Sequence, residues 1–155
     1  MRRKILSQPS IVCSPSEVPL KPAPITPEWI LEGNPVARNR ELSHSPDCGA
    51  WTMVWDCTAG RFQWHYDIDE TVHFVEGSVT ISADGMPPRR FGPGDVIFFP
   101  AGSTATWEVE SYIRKVAFCR KTLPAPLVLA QKIHQRLRKL TTRRTEKVGA
   151  LTPVS

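Results

Sequence analysis

Residues 60–77, GRFQWHYDIDETVHFVEG, put Phe62, Trp64 and Tyr66 on one parity and Gln63 and His65 on the other. After an acidic interruption, Glu70, Val72 and Phe74 share a parity in the same way, and Gly77 ends the run. Alternation with period two marks a strand with one face buried. A second stretch, GPGDVIFFPAGSTATWEV at residues 92–109, is punctuated by Gly94, Pro100 and Gly102 and alternates likewise. AWTMVWDC (50–57) places Trp51, Met53, Trp55 and Cys57 on one face and Thr52, Val54 and Asp56 on the other. Further strands are expected at Thr71–Glu76, at Ser78–Ser82 before the turn pair Asp84-Gly85, and in DVIFFP, TATWEVE and YIRKVAFC. Short strands at a spacing of about 8–12 residues with Gly/Pro turns predict an all-β sandwich or barrel.

The flanks read differently. Residues 1–31 are rich in Pro, Ser and small polar residues and predict an arm, with Trp29 and Ile30 marking where it docks. At the other end, Leu129, Ile133, Leu137 and Leu140 recur at helical spacing, with Lys132, Arg136 and Lys139 beside them. The net charge of +5 is unevenly spread, because the segment from Arg120 onward carries nine Lys/Arg against the single acid Glu146. The barrel is therefore mildly acidic, which argues against a nucleic-acid-binding core. An amphipathic basic helix could meet lipid or phosphate, but packing of its apolar stripe on protein, with the charges solvated, is the simpler expectation.

No run approaches the roughly 18 apolar residues of a membrane span. The basic opening breaks off at Gln8-Pro9, too early for a secretory signal. The expectation is a cytoplasmic protein with no membrane partner. The four cysteines (Cys13, Cys48, Cys57, Cys119) have neither CxxC nor zinc-ligand spacing and are expected as small hydrophobes.

The two stretches resemble the paired motifs of the cupin superfamily. In the first, Glu70 is followed after six residues by Gly77; in the second, Gly94, Pro100 and Gly102 keep the family spacing. The resemblance covers about Glu32 to Arg120. It implies a single cupin (small double-stranded β-helix, or jelly-roll) barrel over residues 32–120, with an arm at 1–31 and a basic helix and tail at 121–155. The aromatic run before Asp69-Glu70, the ETV strand, FPxG and Trp107 resemble single-domain cupins related to the (S)-ureidoglycine aminohydrolase domain. Fold alone does not carry that activity over.

In cupins a metal is usually held by two His and a Glu of the first motif and a His of the second. Here the resemblance allows two registers. One puts Gln63 and His65 with Glu70 in the ligand positions; the other puts Trp64 and Tyr66 there and leaves no metal shell. The second-motif His position holds Ala105. A continuous aromatic face of Phe62, Trp64 and Tyr66 favours the second register, and no residue is assigned to a metal. Glu70, withdrawn from water among aromatic walls, is the candidate catalytic acid or base. Gln63, His65, Trp64, Tyr66 and Trp107 are the candidate ligand-binding residues. His73, on the opposite parity from Glu70, is expected on the outside or at a subunit contact, and Asp95 in a turn.

Two functions remain open at this stage. One is a barrel that binds a small polar (ureido, amino or carboxylate) molecule. The other is a metal-dependent aminohydrolase-like enzyme that releases ammonia from a ureido compound. A homodimer is expected, with any cofactor undetermined.

Overall fold

The structure, a computed structural model, describes residues 17–149. The first part of the expected arm, including Cys13, and the last residues of the tail lie outside the described residues. The chain divides into two units, Met1–Lys121 and Thr122–Ser155.

The described residues of the first unit form nine strands, β1 (Lys21–Pro22), β2 (Ile30–Gly33), β3 (Ala37–His44), β4 (Ala50–His65), β5 (Asp69–Gly77), β6 (Val79–Ala83), β7 (Met86–Phe91), β8 (Val96–Phe99) and β9 (Thr104–Arg120). All pairings are antiparallel. The long strands β4 and β9 pair from Ala50↔Arg120 to His65↔Thr104, with a register shift at Thr58/Gly60. On one side of that shift β4 pairs with β3, and β9 with β5. On the other side β4 pairs with β2, and β9 with β6. Two strands thus run through both halves of the β structure. The bulge lets them change direction between the halves, as a jelly-roll requires.

The alternation in the sequence has become an inside and an outside. Phe62, Tyr66, Val72, Phe74, Ile81, Trp107 and Ile113 form one buried cluster with Trp55 and Phe99. TATWEVE and YIRKVAFC, expected as separate strands, are the two ends of β9. The Asp84-Gly85 pair makes the two-residue turn between β6 and β7, with Gly85 at φ +75°, as a tight hairpin demands. Asp95 accepts a hydrogen bond from the Gly92 amide at 2.9 Å, which holds the turn before β8. On the outer face Asp56 is buried beneath Arg38, whose Nε and Nη2 donate to it at 3.0 and 2.6 Å. The Tyr112 hydroxyl donates to it at 3.0 Å.

The arm joins the barrel through β1, which pairs with β3, and through Ile25, which is buried in the core. A short turn of 3-10 helix, Pro27–Trp29, sets Trp29 edge-on to Trp64 at 5.5 Å and to His65 at 5.0 Å.

The described residues of the second unit form one helix, α1 (Ala125–Gly149). Its Leu127, Leu129, Ile133 and Leu137 are exposed. Leu140, counted in the predicted stripe, lies outside the described side chains. Among the described residues no helix is long and apolar enough to cross a membrane.

Candidate functional site

Glu70 opens the inward row of β5 and is 7% exposed, in line with Val72 and Phe74. Lys115 stands in the inward row of β9 between Ile113 and Ala117, and is 5% exposed. Its Nζ donates to Glu70 Oε1 at 2.6 Å. A charge this far from water needs a partner, and each of these supplies the other's. The ammonium also lies 4.8 Å from the ring centre of Trp107, 5.0 Å from Trp55 and 6.0 Å from Trp64. The negative faces of these rings add to the stabilisation of the cation.

The pair lines a cavity of about 250 Å³, walled by Trp55, Trp64 and Met53 and bordered by Asn39 and the arm residues Ala23 and Pro24. Trp55 Nε1 is buried and has no hydrogen-bond partner. Beneath the cavity, Trp107 Nε1 donates to the Tyr66 hydroxyl at 3.1 Å, and Tyr66 stacks on Phe99 at 4.3 Å. Burial, with Glu70's charge adding to it, pushes the Tyr66 phenol well above its ordinary value, while the Trp107 hydrogen bond opposes the shift. Tyr66 is therefore a neutral phenol. Cys119, opposite Glu70 across the strand pair, is pushed up to about 12 by burial, helped by Glu70 and opposed by Lys115.

Of the residues singled out from sequence, Glu70 and Trp64 line the cavity, and Tyr66 and Trp107 lie in the packed core beneath it. Gln63 and His65 are not brought to it: strand parity turns both outward, and they are exposed. His65 Nδ1 lies 2.8 Å from Thr104 Oγ1 on the neighbouring strand. Ala105, at the second-motif His position, is buried opposite Trp64. His73 lies on the other face of β5, between Val96 and Val116 of the flanking strands. Sequence reasoning missed Lys115, Asn39 and Trp55 as cavity residues. For Lys115 the signal was present, a lysine on the core parity of YIRKVAFC.

The donor set does not suit a metal. The four positions that would face one hold Trp64, Tyr66, Glu70 and Ala105, and the single carboxylate is already paired with an ammonium. Among the described residues no three His, Cys, Asp or Glu side chains converge as a ligand shell, whereas first-row metals are held by three or four such groups. What this arrangement offers instead is an acceptor and a cationic donor side by side in an aromatic pocket.

The topology is that of a cupin-like jelly-roll barrel. Residues 45–117 match the EutQ-like cupin domain family. Among solved structures, the chain is similar to a protein of unknown function from Pseudomonas syringae pv. tomato. That match has 23% identity and a TM-score of 0.62, and covers 68% of this chain but 46% of that one, so the chain spans less than half of that relative. It is also similar to a protein described as ethanolamine utilization protein Q of Salmonella typhimurium (18% identity, TM-score 0.50, covering 57% of this chain and 72% of that one). A third is the polyketide cyclase RemF from Streptomyces resistomycificus (18%, 0.50, covering 68% and 76%). These similarities carry the fold alone. No curated protein matches the sequence significantly.

Proposed function

We propose that this protein is a small-molecule-binding cupin that recognises a small polar compound at the Glu70–Lys115 pair in the barrel mouth. The observation that carries this reading is the placement of a buried ion pair on the wall of a cavity between two tryptophans. An amide or ureido group presents an N–H and a C=O on one edge. The N–H meets Glu70, the C=O meets Lys115, and the planar group lies against Trp55 or Trp64. Among the described residues no donor set supports the metal-assisted aminohydrolase reading.

The test is isothermal titration, or quenching of tryptophan fluorescence, with acetamide, N-methylurea and glycine as probes. Binding is expected to survive EDTA and to weaken at least about tenfold in Lys115→Met, the loss of one charge-assisted hydrogen bond. His73→Ala, on the outer face, should bind as wild type. A Lys115→Met protein that is folded and binds unchanged would sink the reading. Binding abolished by EDTA would return the metal-dependent alternative.

The same proposal includes a homodimer. Phe98 and Phe118 flank Thr71 across neighbouring strands and are 56% and 52% exposed, and Val96 is 60% exposed. An apolar outer face of this kind is what a second copy covers. Light scattering should give about twice the 17.4 kDa chain mass, and Phe98→Glu should return it to the monomer value.

A further inference from the structure

We infer that Lys115 forms a covalent imine with small neutral aldehydes or ketones, Glu70 serving as its proton-transfer partner. The inference rests on the pocket described above being a binding site. The amine is the terminal group of a lysine on the cavity wall, so a carbonyl carbon that occupies the cavity meets it directly. Among the described residues, Glu70 at 2.6 Å is the only other ionisable one lining that cavity. An amine needs such a base to shed its proton before attack, and the carbinolamine needs an acid to lose water.

The ammonium of Lys115 gives a proton to the Glu70 carboxylate, and the free amine forms an N–C bond with the carbonyl carbon. The carbonyl oxygen takes a proton from the attacking nitrogen. Glu70 then returns its proton to that hydroxyl, the C–O bond breaks, and water leaves. The product is an iminium on Lys115 beside an ionised Glu70. No oxidant or reductant is required.

The surroundings fit this product as well as they fit the resting lysine. A positive charge remains at the same nitrogen, with the same counter-ion and the same three indole rings around it. The charge balance selects the substrate class. Among the described residues the one cation lining the cavity is already matched by Glu70, so an anionic substrate would bring an uncompensated charge into a low-dielectric site. Size limits it further, to small molecules that fit a cavity of about 250 Å³.

The experiment is reductive trapping. The full chain is incubated with propanal or with pyruvate and sodium cyanoborohydride, and peptides are mapped by mass spectrometry. In wild type, propanal should modify Lys115 at least about tenfold faster than the exposed Lys21 and Lys121 of the same molecules, and faster than pyruvate modifies it. Glu70→Gln should slow trapping at Lys115 about a hundredfold while leaving Lys21 and Lys121 unchanged. The wild-type comparison is internal, so it stands even if the variant is poorly folded. Labelling of Lys115 no faster than of Lys21 would overturn the imine. If acetamide quenches the tryptophan fluorescence saturably while propanal gives no Lys115 adduct, imine formation alone fails and the binding site stands. A greater rate with pyruvate than with propanal would overturn the neutral substrate class.

Discussion

Burying a lysine and a glutamate 2.6 Å apart takes both from water, and that desolvation offsets most of what their attraction returns. Fold stability therefore does not explain why a charged pair occupies the inward rows of β5 and β9. A cavity lined by both partners does. Two linked variants separate the charge from the packing. Lys115→Met alone leaves a buried carboxylate without its counter-ion and should cost about 3–5 kcal/mol in urea unfolding. Adding Glu70→Leu removes the orphaned charge, and the double variant should regain most of that loss while binding none of the probes. A double variant as unstable as Lys115→Met would show that the cost lies in packing against the tryptophans rather than in charge. His65 marks the opposite situation. One residue away from Trp64, it faces out of the barrel, so its closeness in sequence to the pocket is no guide to its place.

At the scale of strands and turns, Gly77 shows what the end of β5 demands. It has φ +75°, and a Cβ there would collide with the Tyr112 carbonyl oxygen. Gly85, in the β6–β7 turn, has the same φ, but nothing lies within 4 Å of where its Cβ would be. Gly85→Ala should therefore cost about 1 kcal/mol, the backbone strain alone, and Gly77→Ala about 3 kcal/mol or more. Equal losses in chemical denaturation would mean that β9 gives way at Tyr112. Both glycines were visible in the sequence as strand ends, because glycine and its turn partners interrupt alternation locally. Alternation likewise placed Glu70 with Val72 and Phe74, and Trp64 with Tyr66. What local pattern could not supply was pairing between distant strands. Trp55, Phe74 and Lys115 stand side by side only because β4, β9 and β5 are adjacent. The wall formed by Ala23, Pro24 and Asn39 depends on β1 and β3 joining the same sheet, which no period in residues 1–31 announces. The continuity of β9 through Glu110 and Ser111 was also hidden, because polar residues at a bulge look like a turn.

For the molecule as a whole, the buried neutral acids set an alkaline limit. Cys57 and Cys119 are both pushed up to about 12 by burial, Asp56 adding to the shift in the first and Glu70 in the second, with Lys115 opposing in each. In the unfolded chain a thiol ionises near about 8.5. Below that pH both states hold the proton, so the thiols leave stability independent of pH. Between about 9 and 12 the unfolded chain has lost protons that the folded chain retains, so unfolding becomes easier as pH rises. Each thiol contributes a slope of about 1.4 kcal/mol per pH unit in that window. Tyr66, raised in the same direction, adds to the fall above about 10, the ordinary tyrosine value. Urea midpoints should thus be flat from pH 7 to 8.5 and decline from 9 to 10. Cys57→Ala lowers the whole curve through its cavity, but its decline should be shallower by one thiol's share. The slope, not the height, is the readout, because a cavity destabilises equally at every pH. Parallel curves for wild type and variant would mean that Cys57 ionises in the folded barrel, and that water reaches the core between β4 and β9.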